Sequence, residues 1–448
     1  MCSFLFITSV AKSFSAKADY LHSLRGPDAV ETISINGRKI VHNLLSLNGS
    51  FTTQPIYSNS QDCMIFFNGE LYNKEVFSNY NGNDTLFLLD LIENCPTLYD
   101  AIHFLDGEFV ICIYSLAKDS ITIATDFFRT KPVSIGYSSK EDVWSISTYT
   151  SGSDTLIDPL ICDVPENRMI EIDLSANRII KNTIIHNYRQ ISAETTFTKW
   201  TEAFDSAILK RKPQSGRLLI PVSSGFDSGL IAYRTHQLGM KPVYIGIPSC
   251  EDKEVMQRRQ EDLGVSFLSL SQSDYISSLE WISTHVEDCS YTKYQPLLDI
   301  KSVHQDPGTV GLFNVLLQGK QMGCRVSYSG QGADEIYSDY GFQGKPLANV
   351  SSFAGKFPND IHSILPWKNL FRGTQRAYLM KDEHVAGSLG MESRYPFLDR
   401  NLLMCFLALP SSIKNSTYKG PIGRWVSELG IPVASVKLGF SANRDLRS

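Results

Sequence analysis

Residues 218–228 read LLIPVSSGFDS, an unbroken apolar run that ends in a turn of small residues. The run, residues 218–222, is typical of a strand that is buried on both faces of a parallel sheet. Residues 230–233 (LIAY) favour a helix after the turn, and residues 243–247 (VYIGI) favour the next strand. This strand–turn–helix–strand order predicts an α/β domain with a doubly wound parallel sheet.

The turn at residues 223–228 (SSGFDS) has the composition of a phosphate-binding loop. Small residues let the backbone approach a phosphate closely, and N–H groups at a helix start bind anions with the help of the helix dipole. Because Asp227 repels phosphate unless a cation lies between them, its position indicates Mg²⁺. The Walker pattern is absent. An ordinary strand-to-helix turn, capped by Asp and Ser, is the alternative interpretation.

A second segment, residues 328–335 (YSGQGADE), again places small residues and an acid after an apolar position. Two such turns at the carboxyl ends of neighbouring strands can share one nucleotide. The sequence therefore predicts that Asp227 and Asp334 meet around a single magnesium-bound nucleotide. Lys437 brings a cation in a later segment that we expect to fold over the same site, although a solvated surface lysine is the more common case.

The N-terminal part of the chain has a different pattern. Short β-rich runs recur and are separated by turn residues, and one helix is predicted from about Thr85 to Glu93. The runs cover residues 33–35, 64–67, 109–114, 121–124 and 169–172. We expect them to form two packed β-sheets. The pattern changes near residue 195, so we predict domains at residues 1–190 and 195–448.

Composition excludes several classes of protein. The 448 residues suffice for two or three domains of about 150 residues each. A net charge of −5 without a basic run gives no sign of nucleic acid binding. Nine cysteines without regular spacing indicate neither a disulfide framework nor a zinc site. No apolar stretch approaches the ~20 residues of a membrane helix. We therefore expect a cytoplasmic protein. The sequence does not determine its oligomeric state, and a homodimer is compatible with it.

The order of these motifs resembles that of the glutamine-dependent asparagine synthetase family, to which the β-lactam synthetases are related. In the C-terminal half the resemblance rests on residues 223–228, 329–335, 381–382 and 391–399 (MESRYPFLD), and on Lys437. In the N-terminal half it rests on Cys2 and on residues 25–28 (RGPD), 67–73 (FNGELYN), 105–109 and 131–132. It implies an α+β Ntn-hydrolase sandwich of two β-sheets, a glutaminase domain, followed by an α/β ATP-pyrophosphatase domain.

The resemblance implies that Met1 is removed and that Cys2 becomes an N-terminal nucleophile with its own α-amine as the base. Its thiolate would attack the side-chain amide of glutamine, form a thioester and release ammonia. Asn68 and the Gly69 N–H would stabilise the oxyanion, and Asp84 would hold the α-ammonium group of glutamine. The implied glutamine-binding residues are Leu45, Leu47, Asn68, Gly69, Glu70 and Asp84. An inert buried thiol is the alternative for Cys2.

One departure concerns glutamine itself. Leu44 stands where the family has an arginine that pairs with the α-carboxylate of glutamine. Loss of that contact is expected to cost about 1.5–3 kcal/mol, which is roughly 10- to 150-fold in binding. Arg38 is a candidate to compensate from a nearby strand.

For the second half the resemblance implies that a substrate carboxylate attacks the α-phosphate of ATP, so that pyrophosphate leaves and an acyl-adenylate forms. Ammonia would then convert the adenylate to an amide. Asp227 and Asp334 would bind Mg²⁺, Lys437 would act in catalysis, and Gln331 and Glu392 would contact the substrate. The implied ATP-binding residues are Val222, Ser223, Gly225, Asp227, Ser228, Ile245, Ser329, Gly330 and Lys437.

Two further departures bear on the substrate. Gln331 stands where asparagine synthetases have Glu and β-lactam synthetases have Tyr, and Ser224 replaces a family glycine. We therefore expect a glutamine-dependent amidotransferase that acts on a non-aspartate carboxylate of a small molecule or peptide. Asparagine synthesis proper, formation of a lactam or another amide bond with a vestigial glutaminase domain, and a non-catalytic binding protein are the alternatives.

Overall fold

A computed structural model describes residues 2–76, 83–191, 195–293 and 299–435. The chain divides into two compact units, Met1–Asn187 and Tyr188–Ser448. The first unit is built from two antiparallel sheets, whereas the second is built around a parallel sheet. This confirms the fold class predicted for each half.

The first unit contains two six-stranded sheets, in the orders β10-β8-β9-β1-β3-β2 and β12-β11-β7-β6-β5-β4. The strands of the first sheet are β1 (Ser3–Ile7), β2 (Ala29–Ile35), β3 (Arg38–Leu44), β8 (Ser134–Ser138), β9 (Val143–Ser147) and β10 (Leu160–Asp163). The strands of the second are β4 (Ile56–Ser58), β5 (Cys63–Leu71), β6 (Gly107–Ser115), β7 (Ser120–Thr125), β11 (Arg168–Asp173) and β12 (Arg178–Ile184). Its helices are α1 (Ala16–Arg25), α2 (Asp84–Asn94) and α3 (Leu98–Phe104).

Side-chain alternation along β1 and β5 explains the layers of this unit. Phe4 of β1 points between the sheets, where it packs against Phe66 of β5 with ring centroids 5.4 Å apart. Leu5 points the other way and packs with α1, whereas Phe67 packs with α2 and α3. Since successive strand residues face opposite sides, both strands are buried on both faces. The result is a two-sheet sandwich with helices outside.

The second unit has a five-stranded parallel sheet in the order β15-β14-β13-β18-β21. Its strands are β13 (Arg217–Pro221), β14 (Val243–Gly246), β15 (Ser266–Phe267), β18 (Cys324–Tyr328) and β21 (Glu392–Arg394). Two hairpins accompany the sheet, β16 (Ser290–Lys293) with β17 (Asp299–Ser302) and β19 (Gly341–Phe342) with β20 (Lys345–Pro346). The helices are α4 (Phe197–Lys210), α5 (Phe226–Gln237), α6 (Lys253–Leu263), α7 (Gln272–His285), α8 (Pro307–Gln321), α9 (Ala333–Tyr337), α10 (Lys368–Phe371), α11 (Thr374–Ser388), α12 (Arg400–Ala408), α13 (Ser411–Lys414) and α14 (Pro421–Glu428).

The strand order places a topological switch between β13 and β18. From β13 the chain continues to β14 and β15 on one side, and it returns to β18 and β21 on the other side. Ligands of open α/β sheets bind outside the carboxyl ends of strands at such a point. The turns that follow β13 and β18 are the two acid-bearing turns that the sequence singles out. Among the helices that the structure describes, none has both the length and the apolar character to traverse a bilayer.

Candidate active sites

The turn after β13 is held by its own serines. The Ser223 hydroxyl lies 2.8 Å from that of Ser228, and the Ser223 N–H donates to Ser228 Oγ at 3.1 Å. Gly225 is the N-cap of α5, whose first turn carries Asp227. The N–H groups of a helix start therefore lie in a turn of small residues, which is the arrangement that binds an anion.

A buried guanidinium fixes the carbonyl groups of this turn. Arg259 of α6 is fully buried and donates to the carbonyl oxygens of Ser223 and Gly225, the latter at 2.9 Å. Burial lowers the pKa of Arg259 to about 10, so it remains charged at neutral pH. A Cβ at Gly229 would lie 2.3 Å from Arg259 Nη2, so glycine leaves the space that the guanidinium needs.

Ser224, the departure in this turn, has a partner of its own. Its N–H donates to Glu251 Oε2 at 2.8 Å and its hydroxyl contacts the same oxygen. Burial raises the pKa of Glu251, against the effect of these hydrogen bonds. The Ser224 side chain thus ties the turn to residue 251, just ahead of α6.

The two acid-bearing turns meet. Lys419 Nζ lies 2.6 Å from both carboxylate oxygens of Asp227 and 3.0 Å from Asp334 Oδ1. Gly330 reaches the same place, since a Cβ there would lie 3.1 Å from Asp227 Cβ. Two carboxylates that are more than a hundred residues apart in the chain therefore share one ammonium group.

Lys419 is deeply buried, with 3% of its surface exposed. Burial alone would lower its pKa, but Asp227 and Asp334 outweigh burial and raise it. The Tyr418 hydroxyl donates to Asp334 Oδ1 at 3.1 Å. Burial, and then the Asp334 carboxylate, raise the pKa of Tyr418, so the phenol stays neutral as a donor.

This pair of carboxylates fits a divalent cation. Mg²⁺ in nucleotide sites is commonly held by one or two carboxylates, and its remaining ligands are phosphate oxygens and water. Within the described ranges, no group of three or more His, Cys, Asp and Glu side chains forms a protein-only metal cage.

The other residues predicted for this site divide into three groups. The Ser329 hydroxyl donates to Asp382 Oδ2, and the Gln331 N–H donates to Ser329 Oγ at 3.3 Å. The buried residues Val222 and Ile245 are joined by a 2.8 Å hydrogen bond from N–H to carbonyl. Lys437 lies outside the described residues.

Glu392, which is predicted to contact the substrate, lies within the parallel sheet. It lies on β21 with 1% of its surface exposed, and its Oε1 accepts from Arg394 Nε at 2.6 Å. Arg394 in turn donates to the carbonyl of Arg211 at 2.7 Å. The structure therefore makes Glu392 part of a buried ion pair within the sheet, and this geometry gives no support to a substrate contact.

In the first unit, Cys2 precedes β1 and is buried. Its Sγ lies 3.9 Å from the carbonyl oxygen of Leu45, and the Cys2 carbonyl accepts from Arg25 Nε at 3.0 Å. Alternation places Cys2 on the same side of the first sheet as Phe4, which packs against Phe66 of β5. Leu45 and Leu47, both predicted to bind glutamine, are buried apolar residues here.

Asn68 of β5 has a side-chain amide that indicates a ligand. It is fully buried, and neither atom of its side-chain amide has a hydrogen-bond partner among the described residues. Gly69 has a φ of 146°, and a Cβ there would lie 2.1 Å from the Glu108 carbonyl. A buried amide without a partner costs free energy, so its presence points to a ligand.

Glu70 and Asp84 lie together around one cation. Lys74, at the start of a short 3₁₀ turn after β5, contacts Glu70 Oε1 and Asp84 Oδ1 with its ammonium group. Burial opposes the charge, but the two carboxylates outweigh burial and raise the pKa of Lys74. Burial, and then the Glu70 carboxylate, raise the pKa of Asp84 well above its usual value, against the effect of Lys74.

Arg38 is already paired elsewhere. It forms a two-point ion pair with Asp119, at 2.6 and 3.2 Å, and donates to the Thr8 carbonyl at 2.6 Å. The suggestion that Arg38 replaces the arginine lost at Leu44 therefore has no support in the structure.

Sequence reasoning missed three cations of these sites: Lys74, Arg259 and Lys419. The pairing of Lys74 with Glu70 could have been predicted, because the two residues are only four positions apart in the sequence. Arg259 lies on α6, and Lys419 directly precedes Gly420. Both are distant in the chain from the turns that they contact. No spacing rule connects them to those turns.

Comparisons with known proteins found a family model for the N-terminal part and relatives over most of the chain. Residues 1–207 match a family model described as a glutamine amidotransferase domain. A putative glutamine-hydrolysing asparagine synthetase of Methanocaldococcus jannaschii is 22% identical over 422 residues, which cover 89% of this chain and 74% of that protein. Asparagine synthetase 1 of Arabidopsis thaliana is 22% identical over 459 residues, which cover 95% and 73%.

An asparagine synthetase domain-containing protein of Saccharomyces cerevisiae is 23% identical over 477 residues, which cover 94% of this chain and 84% of that protein. A solved glutamine phosphoribosylpyrophosphate amidotransferase of B. subtilis covers 93% of this chain and 97% of its own, at 12% identity and a TM-score of 0.33, too low to add to the argument. The resemblance to the glutamine-dependent asparagine synthetases is thus confirmed over most of the chain, at low identity.

Proposed function

We propose a reaction for this chain, which carries a glutamine amidotransferase domain and resembles the asparagine synthetases: it activates a carboxylate with ATP and converts it to an amide with nitrogen from glutamine. The observation that carries the proposal is the meeting of Asp227 and Asp334 at the switch point of the parallel sheet, around the Lys419 ammonium. An ordinary strand-to-helix turn gives no reason for a second acid to arrive from a turn more than a hundred residues away.

In the activation step, an oxygen of the substrate carboxylate bonds to the α-phosphorus of ATP, and the bond to pyrophosphate breaks. The turn at residues 223–228 would bind the leaving pyrophosphate through its N–H groups and serine hydroxyls. Lys419, and Lys437 as predicted from the sequence, would supply positive charge to the phosphates. Asp227 and Asp334 would hold Mg²⁺, which neutralises charge that develops on the phosphate oxygens.

In the nitrogen-supplying step, the Cys2 thiolate attacks the side-chain amide carbon of glutamine, and ammonia leaves as a thioester forms. Asn68 would donate to the oxyanion with its amide, together with the Gly69 N–H. Water then hydrolyses the thioester to glutamate. The ammonia attacks the acyl carbon of the adenylate, AMP leaves, and the amide remains.

We propose that the carboxylate is not aspartate. Gln331 is neutral, so it cannot act as a base or hold a substrate cation as a carboxylate does. Ser224 is tied to Glu251, which differs from the glycine of the family. Both changes lie at turns of the activation site, and both favour a specialised acid of a small molecule or peptide. ATP and Mg²⁺ would act in the same way on any such acid.

A pyrophosphate-release screen tests this proposal. Protein, ATP and Mg²⁺ are mixed with a panel of carboxylic acids that includes aspartate, with ammonium chloride as the nitrogen source. Release is expected for at least one acid other than aspartate, and Asp334→Asn is expected to lower it by about 10²-fold or more. If no acid raises pyrophosphate release above background, or if aspartate is the preferred acid, the corresponding part of the proposal is wrong.

The glutamine half has its own test. Glutamate release from glutamine is expected to be lost in Cys2→Ala, while ammonium continues to support amide formation. Glutamate release that persists in Cys2→Ala would contradict the role of the thiol.

A second candidate function is an amide or lactam former that takes its nitrogen from the substrate itself. Leu44 favours it, because a leucine side chain cannot pair with the α-carboxylate of glutamine, and Arg38 is paired with Asp119. Product that forms from ATP and a single amine-bearing acid, without glutamine or ammonium, would support this candidate.

A further inference from the structure

The ion cluster of Glu70, Lys74 and Asp84 lies beside the unpartnered amide of Asn68. Asn68 and Glu70 are two residues apart on β5, so their side chains share a face of the strand. That face also carries Phe66, against which Phe4 packs. The segment at residues 45–48 connects this face to the thiol, because the Leu45 carbonyl lies 3.9 Å from Cys2 Sγ and Asn48 Nδ2 contacts Glu70 Oε1. The acid pair alone would not indicate a ligand, but the buried amide beside it does.

The acid pair is built to hold one ammonium group. Glu70 and Lys74 are each about 5% exposed, and Asp84 contacts the same Nζ. Asn48 Nδ2 also contacts Glu70 Oε1. Two carboxylates in so little solvent need a cation, because burial of an unpaired charge is costly. Any second ammonium group must either replace Lys74 or find room beside it.

We propose that Lys74 occupies the subsite for the α-ammonium group of glutamine, so that glutamine binds only when Lys74 moves out of the acid pair. This inference rests on the proposed use of glutamine as nitrogen donor. Free glutamine carries an α-ammonium and an α-carboxylate group. The surroundings that this chain offers to each of these groups differ from those that the family resemblance implies. Leu44 offers nothing to the α-carboxylate, and Lys74 already neutralises the acids that would hold the ammonium group.

The consequence is a nitrogen-donor site that is closed to glutamine in its resting state. A ligand that must first displace an internal group binds with an affinity reduced by the fraction of molecules in the competent state. The side-chain amide of glutamine would still meet Asn68 and Cys2, since Lys74 does not contact either. Lys74 thus sets the affinity for the donor and leaves the chemistry at the thiol to other residues.

A binding experiment separates this role from a merely structural one. Two probes are titrated into Cys2→Ala protein, in which glutamine is not consumed: L-glutamine, and glutaramate, which is glutamine without the α-ammonium group. Lys74→Met keeps the length of the side chain and removes its charge. In Lys74→Met the Kd of glutamine is expected to fall by about tenfold or more, and that of glutaramate by less than about twofold.

Controls and a second variant keep the test decisive. Lys12→Met removes another lysine–carboxylate pair of the same unit and is expected to change neither Kd. In Lys74→Ala, butylammonium chloride is expected to raise the melting temperature, because it fills the vacated ammonium site, whereas it leaves the unaltered protein unaffected. This readout remains available if Lys74→Met folds poorly.

Three results would overturn the inference: an unchanged Kd of glutamine in Lys74→Met, equal changes for glutamine and glutaramate, or no binding of glutamine in any variant. Failure of the proposed use of glutamine is seen elsewhere, as absence of glutamate release from glutamine by the unaltered protein with Cys2 intact. The two failures are therefore distinguishable.

Discussion

The two units of this chain use the same arrangement of charges at different places. In the first unit, Glu70 and Asp84 surround the ammonium group of Lys74, and in the second, Asp227 and Asp334 surround that of Lys419. The first cluster comes from fifteen consecutive positions, residues 70–84. The second is assembled from two turns and a third segment far along the chain.

The residues around each cluster indicate which ligand would take the place of its lysine ammonium group. Near the first lies the buried amide of Asn68, which in the proposed function polarises the side-chain amide of glutamine, so the proposed ligand of this cluster is an organic ammonium group. Near the second lie the N–H groups of a helix start and serine hydroxyls, an arrangement that binds phosphate in other proteins, so the proposed ligand of this cluster is a metal ion. A cluster of two acids and a lysine therefore has no function of its own until its surroundings are known.

The largest effect that separates the two clusters is expected from Lys419→Met. Loss of the shared ammonium group leaves two mostly buried carboxylates together, which is expected to lower the free energy of unfolding by about 3–5 kcal/mol. Millimolar Mg²⁺ is expected to restore part of this loss, because it can take the place between the acids. Urea unfolding with and without Mg²⁺ measures both changes.

Lys414→Met is the matched control for that variant. Lys414 is equally buried, but it donates to the carbonyl oxygens of Leu407 and Leu409 and contacts no carboxylate in the described residues. Mg²⁺ is expected to have no effect on its unfolding. Equal responses of both variants to Mg²⁺ would remove the distinction between the clusters.

The next effect is expected from Asn68→Ala in the first unit. Loss of an oxyanion donor is expected to lower the rate of glutamate release by about 10²–10³-fold, with a much smaller change in KM. Steady-state glutamate release measures both constants. Asn73→Ala is the control, since Asn73 donates to the Phe104 carbonyl and accepts from the Asp106 N–H as a structural link. A loss confined to KM would contradict an oxyanion role.

A gain is expected from Leu44→Arg, on the carboxylate side of the donor site. A restored two-point contact is expected to tighten glutamine binding by about 10- to 150-fold. Leu44→Met, which keeps the side chain apolar, serves as the control. If Lys74 and Leu44 act on opposite ends of glutamine, Leu44→Arg and Lys74→Met should contribute additively in free energy. A gain for Leu44→Met as large as for Leu44→Arg would contradict this.

The smallest effect is expected from Ser228→Ala in the phosphate turn. The hydroxyl of Ser228 bonds to Ser223, and its removal is expected to weaken pyrophosphate binding by about 0.5–1.5 kcal/mol. Product inhibition by pyrophosphate measures the change. Ser278→Ala removes a buried hydroxyl of α7, which donates to the Asp274 carbonyl and accepts from Asn314 Nδ2 at 2.9 Å, and it should leave the inhibition constant unaltered. A weaker effect of Ser228→Ala than of Ser278→Ala would argue against pyrophosphate in this turn.

Much of the fold follows from local sequence. The apolar run at residues 218–222 lies in β13 and the turn after it. The helix predicted from about Thr85 to Glu93 is α2, Asp84–Asn94. These elements were predictable because short-range periodicity sets which side chains are buried. The pairing order of the twelve strands in the two sheets was not predicted, since periodicity does not encode strand partners.

The charged residues of the sites were harder to predict. Asp227 and Asp334 could be paired because each follows a strand, and parallel strands bring their carboxyl ends together. Lys419 gives no such signal, because it precedes a short helix at the far end of the chain. Glu392 was assigned to the substrate by resemblance alone, and its buried pair with Arg394 was not predicted. Sequence position does not reveal which of two charged neighbours a carboxylate will face.

The contact between Gly229 and Arg259 has a consequence for engineering this protein. Helix α5 offers no backbone reason for glycine at position 229, yet any side chain there would collide with the guanidinium. In a saturation library at position 229, we therefore expect only residues that leave room for the Arg259 side chain to be tolerated. Larger residues should be tolerated only where position 259 is randomised as well. Surviving variants would therefore carry compatible residues at positions 229 and 259.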